Sequence, residues 1–326
     1  MNKKIFFSIA MLFVATLTKA AILRVNNNPN VTGANIYSNA QAAHDAANAG
    51  DTIHLEPAAF GNYGNLNVSK KITLISTGDF LAQNPNEQAS LNTGYCGNIY
   101  LQTGSENSVI SAKASGIIYV WVSNIIVTHT SCVGLYVNNG QYGFALANIM
   151  VSKCVMQYCL IYDNYNDNSI AITDVLVNNN IINSYFDMNG MCSATISNNI
   201  IISFGGYCLF RNSTLSNNIL YHTNYNFQFS NCTGSNNIEN NTFIPTNLGS
   251  NNISNVDFST VFQNWGAFNG DNYQLNPTYT NQTVGPFAGA DPYKPACQPG
   301  VPAIYQLSVP STSGNNLPIQ VSTKSN

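Results

Sequence analysis

Charge is scarce in this chain. Only 8% of its 326 residues are Asp, Glu, Lys or Arg, and the arginines are Arg24 and Arg211 alone. The formal net charge is −3; a leader carrying Lys3, Lys4 and Lys19 but no acid would, once removed, leave eight basic against 14 acidic residues, a net of −6. So few cations give a polyanion no electrostatic footing, which excludes nucleic acid as a partner. Long apolar runs are also few: after Leu17 none approaches the twenty residues a membrane helix needs, so no membrane insertion is expected. Gly-x-Ser-x-Gly, His-Glu-x-x-His, the phosphate loop and the dinucleotide fingerprint are all missing, which sets aside nucleotide and zinc chemistry.

The first twenty residues read as a signal peptide. Lys3 and Lys4 precede an apolar stretch from Ile5 to Leu17, and small residues near Ala20 suit cleavage after it. No Cys stands directly after that point, so a lipid anchor is not expected, and the mature chain is expected to be secreted or held at the cell surface or in the periplasm. Eight cysteines include no Cys-x-x-Cys; Cys154 and Cys159 lie closest together. Six cysteines fall within the repeats described next, where disulfides and buried thiols are both open readings.

Polarity comes instead from Asn, Ser, Thr, Gly and Tyr, in a repeating pattern. Val127-Thr-His-Thr, Val151-Ser-Lys-Cys, Val177-Asn-Asn-Asn, Ile196-Ser-Asn-Asn, Leu215-Ser-Asn-Asn and Ile238-Glu-Asn-Asn follow one another at steps, by subtraction, of 24, 26, 19, 19 and 23. An apolar residue followed by small polar ones at such a period is a solenoid signature. The Asn pairs 179–180, 198–199, 217–218 and 240–241 are placed at a corner, where Asn tolerates a left-handed backbone and its amide can bond the equivalent Asn of the next coil. A second apolar column, Val137, Tyr162, Phe186, Phe210 and Phe229, gives each coil at least two strands. Strand alternation then predicts two outward columns, Tyr136, Ile161, Tyr185, Leu209, Gln228 and Asn138, Asp163, Asp187, Arg211, Ser230.

Ahead of the repeats, residues 38–49 are Ala-rich, with Ala40, Ala43 and Ala47 on one face and Gly50 just beyond. This predicts a short helix plugging the open end of the solenoid. Strands are expected at Thr52 to Glu56, Leu66 to Val68 and Ile72 to Ile75, and an insertion between Gly78 and Gly97. After Phe262 the pattern weakens, with a closing strand pair expected at Ala303 to Val309 and Leu317 to Val321. With almost no helix after residue 50, a parallel β-helix is the repeat fold that remains.

The capping helix, Gly50-Asp51-Thr52-Ile53, Lys70-Lys71-Ile72-Thr73-Leu74 and the Asn-Asn-Ile-Ile coils together resemble exported bacterial proteins of the right-handed parallel β-helix, pectate-lyase-like superfamily over residues 22–260. The expected fold is therefore all-β: a single-stranded right-handed parallel β-helix solenoid with an N-terminal capping α-helix and an irregular C-terminal segment. The expected divisions are 1–20, 21–260 and 261–326. The superfamily includes lyases, hydrolases, esterases and proteins with no assigned reaction, so the resemblance implies a fold more than an activity.

Candidate site residues follow from the outward columns. Asp163, Asp187 and Arg211 lie at equal steps of 24, and successive coils are about 4.8 Å apart, so two carboxylates and a guanidinium are expected to converge. Resemblance to β-helix pectin esterases would make one Asp the nucleophile, the other the acid/base and Arg211 the orienting cation. Tyr136 and Tyr185, with Asn138, offer flat faces and an amide to sugar rings. Oxygen-rich Asp163 to Asn168, with Asp167 and nearby Asp174, is a candidate calcium site; no other metal or cofactor is expected. Three functions are in view. The leading expectation is a non-catalytic protein contacting neutral carbohydrate. The others are a polysaccharide lyase, hydrolase or esterase on Asp163, Asp187 and Arg211, and a structural adhesin or envelope protein.

Overall fold

The computed structural model describes residues 20–57, 62–84, 90–140, 143–163, 170–205, 208–223, 227–241, 244–245, 247–266, 273–280, 284–288, 290, 292–294, 303–308 and 319–324. The leader, apart from Ala20, lies outside the described residues, as do residues 164–169.

The chain forms a parallel β-helix built on two 11-stranded sheets. The first sheet runs from Ile36–Tyr37 and Ile22–Val25 through Thr52–Leu55, Thr73–Ser76, Val109–Ser111, Ile125–Thr128, Ile149–Ser152, Ala171–Asn178, Met191–Ser197 and Thr214–Ser216 to Thr233–Ser235. The second begins at Leu66–Val68 and continues through Ile99–Leu101, Ile117–Val120, Ser131–Asn138, Val155–Tyr162 and Ile181–Met188. There it divides. Ile181–Met188 pairs through its first half with Ile200–Ser203 and through its second with Cys208–Arg211, and the two halves continue into Ile219–His222 and Phe227–Ser230.

The helix is Ala40–Ala46. Asn39 caps it by accepting from the Ala42 N–H at 2.8 Å, and Lys70 Nζ donates to the His44, Asp45 and Ala47 carbonyls at 3.1, 2.9 and 2.9 Å. A cation at the C-terminal end of a helix meets its partial negative charge. Ala40, Ala43 and Ala47 are buried against the first coils, as an end plug requires.

Val127, Val151, Val177, Ile196 and Leu215 stack in register inside the first sheet, as the spacing predicts. The sixth anchor differs: Leu215 pairs with Gly234, whereas Ile238 pairs with Ile219 in the second sheet. A Cβ on Gly234 would lie 2.2 Å from the Leu215 carbonyl oxygen, so this closely approached position excludes the apolar side chain that betrays the earlier anchors. The corner therefore runs His129, Lys153, Asn179, Asn198, Asn217, Asn236 and Asn251, all with φ between 48° and 60°.

The residue after each corner explains the Asn pairs. Asn180 Nδ2 donates to Asn199 Oδ1 at 3.0 Å, Asn199 to Asn218 at 3.0 Å, Asn218 to Asn237 at 2.9 Å and Asn237 to Asn252 at 2.9 Å. Each acceptor oxygen also takes the backbone N–H of the preceding Asn, and each Nδ2 also donates to a carbonyl of the coil before it, as Asn180 does to Val151. Asn180, Asn199, Asn218 and Asn237 have no exposed surface. Burial of an amide is tolerable when all its hydrogen bonds are made.

The second interior column shifts from its expected alignment. Val137 pairs with Ile161 and Ile161 with Met188, while Leu135, Cys159 and Phe186 form a separate inward column. A bulge places Asn183 and Ser184 opposite Gln157, so the true step is 27 where the sequence offers an attractive 24. Because Val137 is set against Ile161, a step of 24, Ile161 points in and Tyr162 faces out. Further along, Phe186 stacks on Phe210 at 5.0 Å and Phe210 on Phe229 at 5.3 Å, filling the interior.

The seven described cysteines are free thiols, six of them buried; Cys297 lies outside the described residues. The helices Phe258–Val261 and Pro277–Thr280 and an antiparallel pair, Ala303–Ser308 with Gln320–Lys324, follow the solenoid. Phe258, Val261, Phe262, Tyr273 and Leu275 pack on Ile200, Ile202, Ile219 and Ile238, which forms a second apolar cluster on the flank of the coils.

Candidate functional site

The outward face of the second sheet carries rings. Tyr100 pairs with Tyr119 and Tyr119 with Tyr136, and Tyr158 pairs with Tyr185 in the neighbouring column. Tyr100 and Tyr119 are parallel, 5.0 Å between centroids; Tyr136 meets Tyr119 edge-on at 5.5 Å, and Trp121 lies 5.6 Å from both Tyr100 and Tyr119. All are half-buried, with part of their surface in solvent.

Glycines make room for these rings. A Cβ on Gly134 would lie 3.0 Å from Tyr136 Cε1, and one on Gly140, at φ 52°, would lie 2.8 Å from the Trp121 indole. Neutral amides hold the phenols: Asn98 Nδ2 donates to the Tyr100 hydroxyl and Asn138 Nδ2 to the Tyr162 hydroxyl, each at 3.0 Å. Burial raises the Tyr119 and Tyr136 phenols above their ordinary pKa, and it lifts Tyr185, beside Asp187, to about 12. These phenols thus stay uncharged across the physiological range, offering flat apolar surfaces and hydrogen-bonding edges.

The expected ionisable column is not continuous. Asp187 faces out between Leu160 and Leu209. The Tyr185 hydroxyl donates to its Oδ2 at 3.4 Å. Burial raises the Asp187 carboxyl pKa, opposed by that hydrogen bond and by the charge of Arg211. Arg211 pairs in register with Ser230, and its Nε is buried with no hydrogen bond among the described residues. Asp163 departs from the pattern: it has no exposed surface, and its Oδ1 accepts from Asn139 Nδ2 at 2.5 Å. The fold brings Asp187, Arg211 and Tyr185 together; alternation along Val155–Tyr162 puts Asp163 in the interior with Cys159 and Ile161, and the 27-residue step sets Leu160 against Asp187. Tyr136 joins the aromatic face, and Asn138 is buried beneath it.

Of the candidate calcium ligands, Asp163 is enclosed, Asp174 is exposed at a separate corner with φ 53°, and the rest lie outside the described residues. No group of three or more His, Cys, Asp or Glu among the described residues is arranged to hold a metal ion. No helix among them is long and apolar enough to cross a membrane.

The sequence singles out Tyr136 and Tyr185 but passes over Tyr100, Tyr119 and Trp121. The signal was present: Tyr100, Tyr119 and Tyr136 follow at steps of 19 and 17, but two of the three precede Val127, where the repeating anchors begin. The first sheet bears a different concavity, about 470 Å³, with Ile126, Met150 and Leu176 as its floor and Asn124, Asn148 and Asp174 along one lip. Its floor is aliphatic, and no ring lines it among the described residues. Comparison with known proteins finds no matching family model, curated protein or solved structure.

Proposed function

We propose that this chain is an exported β-helix protein that binds neutral polysaccharide along the aromatic face of its second sheet. The observation that carries the reading is the in-register column Tyr100, Tyr119 and Tyr136 with Trp121 beside it. Pyranose rings have apolar faces that stack on such rings and hydroxyls that meet neutral amides and phenols, and burial keeps these phenols protonated. Export rests on the leader, and the pectate-lyase-like relationship on the sequence resemblance; both belong to this proposal.

Affinity electrophoresis of residues 21–326 through gels containing neutral or acidic polysaccharide tests it. Trp121→Ala and Tyr119→Ala are each expected to weaken retention by about tenfold, the equivalent of 1.4 kcal/mol. Retention unchanged in both variants, or absent from every neutral polysaccharide, sinks the reading. Surface association without affinity for any sugar would favour a structural role.

The raised Asp187 carboxyl favours a second, enzymatic reading, because a carboxyl that stays protonated to higher pH is suited to general-acid chemistry. Its partner charge is Arg211. Polysaccharide cleavage or ester release that Asp187→Asn abolishes would establish an enzyme; turnover unaffected by that variant would remove Asp187 from the chemistry.

A further inference from the structure

A cavity of about 380 Å³ adjoins the aromatic face, lined by Gln157, Asn183, Ser184, Phe204, Gly266 and Tyr273. Its walls have identifiable causes. The bulge sets Gln157 opposite Asn183 and Ser184, and pairing resumes at Tyr158 and Tyr185, so the cavity begins one residue from the aromatic columns. In the next coil the strand stops at Ser203, and Phe204 emerges there with 55% of its surface exposed. The C-terminal segment supplies the remaining wall: Gly266 at φ 86°, and Tyr273, 2% exposed and hydrogen-bonded to Asn183.

The chemistry of the lining is narrow. Gln157, Asn183 and Ser184 provide neutral donors and acceptors, Tyr273 a phenol, and Phe204 one open aromatic face; no lining residue is charged at neutral pH. A volume of this order lies at the small end of ligand sites. An uncharged polyol with one apolar face satisfies all of these groups together, whereas an anion or cation would lose its hydration without gaining a counter-charge. Bulges accumulate where a sheet is re-aimed for a site, and this one coincides with the division of the second sheet.

We infer that the cavity is a subsite for a single neutral pyranose, taking one sugar of a glycan laid along the aromatic face. The inference rests on the carbohydrate reading above. Phe204 stacks on the sugar ring, and Gln157, Asn183 and Ser184 bond its hydroxyls.

Saturation-transfer NMR on residues 21–326 with methyl β-glucopyranoside, methyl β-galactopyranoside and methyl α-mannopyranoside, alongside the corresponding oligosaccharides, tests the inference. At least one methyl glycoside is expected to show transfer that falls at least fivefold in Phe204→Ala and in Gln157→Ala but persists in Trp121→Ala. Both probe positions are exposed, so the variants retain the fold. Absence of transfer to every methyl glycoside, or transfer unchanged in Phe204→Ala, overturns the subsite. Oligosaccharide binding that depends on Trp121 but not on Phe204 would leave the aromatic face standing and remove only the subsite. Monosaccharide binding that depends on Phe204, with polysaccharide retention indifferent to Trp121, would do the reverse.

Discussion

From Val127 to Val177 the first-sheet anchors are 24 and 26 residues apart; from Val177 to Gly234 each step is 19. The short coils are nearly identical, and a buried Asn recurs at one corner with every hydrogen bond supplied by its neighbours above and below. In the long coils Thr130 and Cys154 occupy that corner position. Cys154 keeps half of the arrangement: its backbone N–H donates to Asn180 Oδ1 at 2.9 Å, and its Sγ lies 3.6 Å from the Val127 carbonyl, where Asn180 Nδ2 meets Val151. Neighbouring coils lie one strand spacing apart whatever their length, so the ladder needs only an Asn at the same corner of the next coil, and its last rung, from Asn237 to Asn252, spans 15 residues. Where the corner holds Thr130 or Cys154 there is no amide to extend the stack.

The comparison breaks most sharply at Asn218. Asn218→Ala leaves the buried Asn199 N–H and Nδ2 without their acceptor, and is expected to cost about 3–5 kcal/mol. Cys154→Ala removes one small side chain and is expected to cost about 1–2 kcal/mol. Urea denaturation of both variants decides it; equal losses would mean that the ladder does not hold the short coils. Cys154→Asn sharpens the same contrast from the other side: it extends the ladder by one rung and is expected to change stability by less than about 1 kcal/mol.

Corner conformation gives a smaller effect. Lys153 stands at φ 55° where the short coils have Asn, and left-handed backbone costs a residue with a long side chain about 1–2 kcal/mol. Lys153→Asn is expected to stabilise by about 0.5–1 kcal/mol and Asn217→Ala to destabilise by about 1 kcal/mol, both read from the urea midpoint.

The smallest effect concerns acid. His44, in the capping helix at the long-coil end, accepts from the Ser69 N–H through Nε2 at 3.1 Å, and burial lowers its pKa. Above 6.5, the ordinary imidazole value, both folded and unfolded states are neutral there. As pH falls below it the unfolded chain takes up a proton that the folded one resists, so stability declines. Thermal melts between pH 7.5 and 5 should show the decline, and His44→Gln should flatten it; an unchanged slope would assign the acid sensitivity elsewhere.

How much of this was legible in the sequence follows from the same contrast. Five anchors, the capping helix and the Asn corners at 179, 198 and 217 read directly, because each residue repeats its type at its position. The corner at Asn236 did not, since the anchor before it is Gly234 and carries no side chain to align. Asp163 appeared to stack with Asp187 because nothing in the local pattern reveals that two residues, Asn183 and Ser184, face one across the bulge. The aromatic face was half visible, as Tyr136 and Tyr185, and its remainder, Tyr100, Tyr119 and Trp121, lay ahead of Val127, where the repeating anchors begin.

The ladder also has a direction. In every rung the side-chain carbonyl turns toward the coil before and an N–H toward the coil after, so five amide dipoles from Asn180 to Asn252 align head to tail, as peptide dipoles do along a helix. The stack is polarised, with its negative pole at Asn180, facing the Cys154 N–H, and its positive pole at Asn252. There the Gly234 and Gly249 carbonyls take the last donor at 3.2 and 3.1 Å. The interior thus holds a small permanent electret along the solenoid axis, with both poles neutralised by backbone.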